Sequence, residues 1–150
     1  MMRRLRRFLA LSSAQRRLFI GVWLALPIID LMLRGLGFQR TLGLLSGGAI
    51  LLGRRQARAA GSAAFAPAEA QAAIIAIAGR YALGNGTCLR QALLLRSLLR
   101  RHGQPAEVRI GVSVRNGFAA HAWVELNGES LGQAPEQRNR FVRLQPFYRA

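Results

Sequence analysis

The sequence predicts an α+β fold, helical first and a small antiparallel sheet after. Three observations carry this. Residues 67–101 place apolar side chains at helical spacing, residues 106–126 switch to strict alternation, and two Asn-Gly pairs mark tight turns between strands. With 150 residues and 51% hydrophobic side chains, the chain builds one domain, or a small domain with an appendage. Composition shifts divide it into a basic, apolar helical region over 1–60 and a core over 61–150.

In the first region, Ser12 or Ser13 is placed to cap a helix beginning near Ala14. Leu18 to Ile29 is an almost unbroken apolar run. It is shorter than the roughly 20 residues that span a bilayer, and Pro27 is expected to kink or end the helix. A second apolar stretch, Thr41 to Leu52, is broken by Gly47-Gly48. Arg16-Arg17-Leu18-Phe19-Ile20 is similar to a twin-arginine export signal, but no A-x-A-like cleavage site follows directly. Interleaved basic and apolar residues fit a helix lying on a membrane surface, or a helical subdomain packed on the rest.

Arg58 to Ala66 is Ala/Gly/Ser-rich and reads as a linker. Pro67 suits a first helical turn, with Glu69 near the positive dipole end, and that helix runs to about Leu83. Gly84-Asn85-Gly86 stops it. The next helix begins at Cys88 with Thr87 as N-cap. Its apolar stripe is Leu89, Ala92, Leu93, Leu95, Leu98 and Leu99. Arg96, Arg100 and Arg101 suit its C-terminal end, and Gly103 stops it.

After Pro105 the side chains alternate. Val108, Ile110, Val112 and Val114 face one way, and Arg109, Gly111 and Ser113 the other. Asn116-Gly117 turns the chain into a strand over Phe118 to Leu126, which puts His121, Trp123 and Glu125 on one face. Asn127-Gly128 starts a second hairpin leading through Glu129 to Gln133. Pro135 to Arg140 reads as a loop, and Phe141 to Leu144 as a last short strand.

The net charge is +16, and all 22 basic residues are arginine. Such a surface attracts acidic peptides, partner proteins or anionic lipid. The hairpins lack the interleaved surface aromatics of a single-strand nucleic-acid platform, so no nucleic-acid partner is expected. A single cysteine excludes an internal disulfide and a Cys-rich zinc site, and fits a reducing, cytoplasmic setting.

That cysteine carries the chemistry. In the first turn of a helix, Cys88 faces unpaired N–H groups and the positive dipole end, which favour the thiolate. A nearby imidazole lowers the pKa further and can protonate a leaving amine. His121, mid-strand beside Trp123, is the candidate. His102 sits at a helix C-terminus, where a cation is favoured. The Cys88 N–H is an oxyanion donor, and the glycines before it admit a substrate backbone, so Asn85, Gly86 and Trp123 are candidate substrate-binding residues.

A third residue would orient His121. The only aspartate, Asp30, lies far upstream. Glu125, Asn127, Glu129, Gln133 and Glu136 follow His121. A two-residue Asn127-Gly128 turn pairs Leu126 with Glu129 and sends Gln133 to the face away from His121. A three-residue turn with a bulge pairs Glu125 with Glu129 and sets Gln133 opposite His121. A neutral amide can hold the imidazole tautomer.

Three stretches together resemble a known family: Tyr81 to Gly103 (YALGNGTCLRQALLLRSLLRRHG), Ala106 to Val114 (AEVRIGVSV) and Ala120 to Gly128 (AHAWVELNG). They are similar to the transglutaminase-like leader peptidases of lasso peptide biosynthesis, a family of cysteine proteases. The likeness covers roughly 67–133, and Leu31 to Phe38 also looks like that family's N-terminal part. The resemblance implies a papain/transglutaminase-like core, a nucleophile helix packed on a small antiparallel sheet. It implies removal of the leader from a ribosomally made precursor, with Cys88 as nucleophile and His121 as base. The implied partners are the lasso precursor peptide, a separate leader-binding protein and an asparagine-synthetase-like lasso cyclase. No cofactor is bound directly, and any need for ATP rests with the maturation system. The family's third residue is acidic. Gln133 stands at or near that position, with Glu129 or Glu136 as the carboxylates that could reach in instead.

Two rival readings stand beside this one. The chain could be a basic module, without catalysis or with an impaired site, that binds an acidic peptide, a partner protein or a membrane surface through residues 1–60. It could also be a transglutaminase-like hydrolase with another peptide substrate.

Overall fold

The computed structural model describes residues 12–46, 67–81, 87–115, 117–133, 137 and 139–144. Among the described residues, three helices, α1 (Ser13–Ser46), α2 (Ala68–Gly79) and α3 (Thr87–Arg101), precede four strands: β1 (Ala106–Ser113), β2 (Ala119–Leu126), β3 (Glu129–Leu131) and β4 (Val142–Arg143). The sheet order is β3-β2-β1-β4, with every pairing antiparallel. The α+β class with an N-terminal helix is therefore the observed architecture.

Local sequence explains the ends of these elements. At the start of α1, the Gln15 N–H donates to Ser12 Oγ at 3.2 Å and the Ser12 N–H to Gln15 Oε1 at 2.9 Å, a reciprocal cap. Of the two outcomes expected at Pro27, a kink or an end, the helix does not end there. Proline forfeits one backbone bond, but tertiary contacts of Val22, Leu26 and Ile29 on the flanking turns hold the axis. The break comes at Gly37 (φ 76°), where a left-handed residue interrupts the helix. Gly103 (φ 75°) closes α3: its N–H reaches the Arg100 carbonyl at 3.0 Å, and the Gln104 N–H reaches Leu99 at 3.1 Å. The linker expected over 58–66 lies outside the described residues.

The central element is α3. An apolar stripe on one face was expected, yet Arg90 and every residue from Ala92 to Leu99 are buried. The helix lies between α1, α2 and the sheet, so it has almost no solvent face. Leu93, Leu94 and Leu99 are at most 1% exposed, and truncating any of them to alanine would cost about 2–5 kcal/mol. Three polar side chains of α3 meet α1. Arg96 donates to Ser46 Oγ at 2.9 Å and Ser97 to the Leu45 carbonyl at 3.2 Å. Arg90 lies 3.3 Å from Asp30, which also holds Arg34 at 3.0 Å. The lone aspartate thus ties α1 to the first turns of α3.

In the sheet, β1 pairs with β2 from Ala106↔Leu126 to Ser113↔Ala119. Val108, Ile110, Ala122, Val124 and Leu126 belong to the core shared with the helices. By alternation, Arg109, Gly111, His121, Trp123 and Glu125 take the other face. The β2–β3 hairpin adopts the two-residue turn, with Asn127 (φ 52°) and Gly128 (φ 86°) both left-handed and Leu126 opposite Glu129.

Candidate active site

Cys88 lies in the first turn of α3, half-buried, with its thiol hydrogen-bonded to the His121 imidazole. That bond is the main influence holding the thiol below its ordinary pKa. Burial works against it, while hydrogen bonds from the backbone N–H groups of Ala122 and Leu89 assist. The sheet explains why Ala122 is available. The Leu144 N–H bonds the Ile110 carbonyl at 2.9 Å, so Ile110 directs its backbone groups toward β4. Its partner Ala122 therefore points away from β1. On that side β3 pairs only with Val124–Leu126, which leaves the edge of β2 at Ala122 open for the start of α3.

The His121 ring is held by aromatic neighbours. Trp123 stacks on it with centroids 6.1 Å apart and planes at 20°, and Phe141 lies tilted at 5.1 Å. Gly111, directly opposite His121, makes room for both. A Cβ there would come within 2.9 Å of the Trp123 ring and the Val142 carbonyl, and 3.0 Å of Phe141 Cβ. Trp123 is fixed in turn by Glu125, whose carboxylate accepts the indole N–H at 3.0 Å. Glu125 is 4% exposed and also takes Arg109 at 3.0 Å and Arg143 at 2.6 Å. Glu125 shares a face with His121, but its carboxylate supports the tryptophan rather than the imidazole. Among the described residues, no carboxylate is paired with His121.

The remaining sequence candidates fall in different places. Glu129 is exposed at the far hairpin end, opposite Leu126. Five residues of strand separate that point from His121, about 17 Å, so Glu129 does not reach the ring. Gln133 does enter the Cys88–His121 cleft, together with Gln91, Ile75 and Leu131. The two-residue turn groups it with Leu131, Val124 and Ala122, which line the cleft with it, and β3 itself ends just before Gly132. That residue is left-handed (φ 65°), and its N–H is held by Glu69 Oε2 at 3.1 Å, so the chain leaves the strand before Gln133. Gln133 Nε2 is buried with no hydrogen-bond partner among the described residues. Asn85, Gly86 and Glu136 lie outside the described residues. His102 was expected to favour a charged form, yet burial and Arg101 lower its pKa. Among the described residues, no three His, Cys, Asp or Glu side chains converge as a metal set.

Sequence reading missed Phe141, Gln91, the Ala122 N–H and the Glu69–Gly132 bond. The only local signal was the left-handed preference of Gly132; the others depend on long-range packing.

A thiol at a helix start, hydrogen-bonded to a strand-borne imidazole in an α+β fold, defines the arrangement used by thiol hydrolases and acyltransferases. The transglutaminase-like superfamily model matches residues 32–145, and the chain belongs to that superfamily. Its members are generally cysteine peptidases or acyltransferases. No curated protein and no solved structure matches the chain.

Proposed function

We propose that this protein is a cysteine peptidase that removes the leader from a lasso peptide precursor. The observation that carries the peptidase chemistry is the Cys88–His121 hydrogen bond at the start of α3. The lasso substrate rests on the motifs around Cys88 and His121 described above.

In this reading the Cys88 thiolate attacks the carbonyl carbon of the bond before the core peptide. The oxyanion takes the Cys88 N–H in the first turn of α3, where backbone N–H groups have no intrahelical acceptor. The carbon–nitrogen bond then breaks, and imidazolium His121 gives its proton to the leaving amine, which becomes the core N-terminus. Water attacks the remaining thioester, with His121 taking its proton. The leader departs with a new carboxylate, and Cys88 returns as thiolate beside imidazolium. Gln133, with a free amide N–H in the cleft, is the polar side chain placed to contact substrate or the His121 ring. Trp123 orients His121 by stacking. The precursor, a leader-binding protein and a lasso cyclase are the partners this reading proposes, in a cytoplasmic setting.

The test is reconstitution with a precursor encoded beside this chain and its leader-binding protein, read by mass spectrometry of the leader and core fragments. Cys88→Ala and His121→Ala, each folded by circular dichroism, should release no leader. Leader release by folded Cys88→Ala would refute the assignment. Release from unrelated peptides at equal rate would refute the lasso specificity alone.

A further inference from the structure

We propose that α1 docks this protein sideways on an anionic phospholipid surface. The helix carries two opposed apolar faces. Val22, Ala25, Leu26 and Ile29 form one, buried against the rest of the protein. Ile20, Trp23, Leu24, Ile28 and Leu31 form the other, and all five are exposed, Leu31 at 72%. At 100° per residue they fall within an arc of about 140°, diametrically away from the buried face. A soluble helix packed on a core is expected to be polar there.

The surroundings say what covers this face. Arg16, Arg17 and Arg34 fall on the same arc and bracket the stripe at both ends, about 27 Å apart from first to last. The only acid on α1 is Asp30, and its carboxylate is taken by Arg34 and Arg90. Trp23 donates its indole N–H to the Tyr81 carbonyl at 3.1 Å, which sets an exposed tyrosine and the exposed Arg80 beside the stripe. An apolar stripe with an aromatic pair and flanking guanidinium groups matches the boundary between acyl chains and acidic headgroups. The chain's +16 charge adds long-range attraction to the same surface. The helix is long and apolar enough to cross a bilayer by length and composition. Its other face, however, is packed on α2 and α3, and Asp30 is tied to a buried arginine. Only the sideways approach keeps these contacts.

The proposal stands apart from the peptidase reading and is tested without activity. The full chain is sedimented with vesicles of phosphatidylcholine alone and of phosphatidylcholine with an equal part of phosphatidylglycerol, while tryptophan emission is recorded. The expected result is partition to the anionic vesicles only, weakened by salt, with a blue shift that Trp23→Phe removes; Trp123 is already buried. The double variant Leu24→Glu, Leu31→Glu changes only exposed positions and should lose about tenfold or more in partition with its far-ultraviolet spectrum unchanged. Failure of the parent chain to bind anionic vesicles overturns the proposal, as does equal binding by the double variant. Concentration-dependent self-association that the double variant abolishes, without lipid binding, assigns the face to a second copy and also overturns it.

Discussion

Replacing Glu125 tests the support of His121 most directly, because this carboxylate is buried and bonds three groups. Its bond to the Trp123 indole is inside the protein, and a hydrogen bond to a charged group contributes about 1.5–3 kcal/mol. The Arg109 pair is partly buried and adds a similar amount at most. Arg143 is 57% exposed, so solvent screening holds its pair to about 1 kcal/mol or less. Glu125→Ala should therefore cost about 3–5 kcal/mol, a large share of the 5–15 kcal/mol typical of a domain. For a chain of this size that lowers the thermal midpoint by roughly 6–20 °C. Glu125→Gln keeps an oxygen for the indole and loses the two charge pairs, so it should cost about half as much. Calorimetry gives the midpoints, and near-ultraviolet circular dichroism reports Trp123. The reasoning fails if Glu125→Ala shifts the midpoint by less than about 2 °C, since the carboxylate would then hold nothing in place. It also fails if the near-ultraviolet signal is unchanged, since Trp123 would not depend on Glu125.

The remaining predictions concern the thiol and the space around its base. Alkylation of Cys88 by iodoacetamide should have its pH inflection below that of an ordinary thiol, and His121→Ala should move it upward, because burial is left opposing the thiolate. A depressed thiol pKa means that the unfolded chain binds more protons across the window between the two pKa values. The thiolate's contribution to stability is thus full above the unfolded value and lost as pH falls through the folded one. Chemical denaturation of the parent chain and Cys88→Ala across that window should converge at the acid end; a constant difference would count against the linkage. Gly111→Ala should cost about 1–3 kcal/mol and disturb the His121 stack, since the new methyl meets backbone as well as the Trp123 ring. A midpoint equal to the parent's would show that the strands can part without cost.

Local pattern made much of this protein legible. The helix at Cys88, its stop at Gly103 and the alternation of β1 and β2 all follow from short-range chemistry. Alternation alone put His121, Trp123 and Glu125 on one face. The second hairpin was legible as two registers, and turn energetics chose between them. Asn127 and Gly128 both tolerate left-handed backbone, so the two-residue turn forms without a bulge.

Sequence by itself therefore determined the order of elements and the α+β class, and it placed Cys88 at a helix start and His121 mid-strand, because each depends on periodicity or on one residue's position in one element. Tertiary structure decided what those residues touch. Only assembly shows that β3 ends early enough to leave the Ala122 N–H open to Cys88. Only assembly shows that Glu69, more than sixty residues upstream, holds the Gly132 N–H beside the cleft that Gln133 lines. The nearest carboxylate on the His121 face likewise proved to hold Trp123, because two arginines from β1 and β4 converge on it. Contacts across such separations are set by packing of the whole chain, and no local signal encodes them.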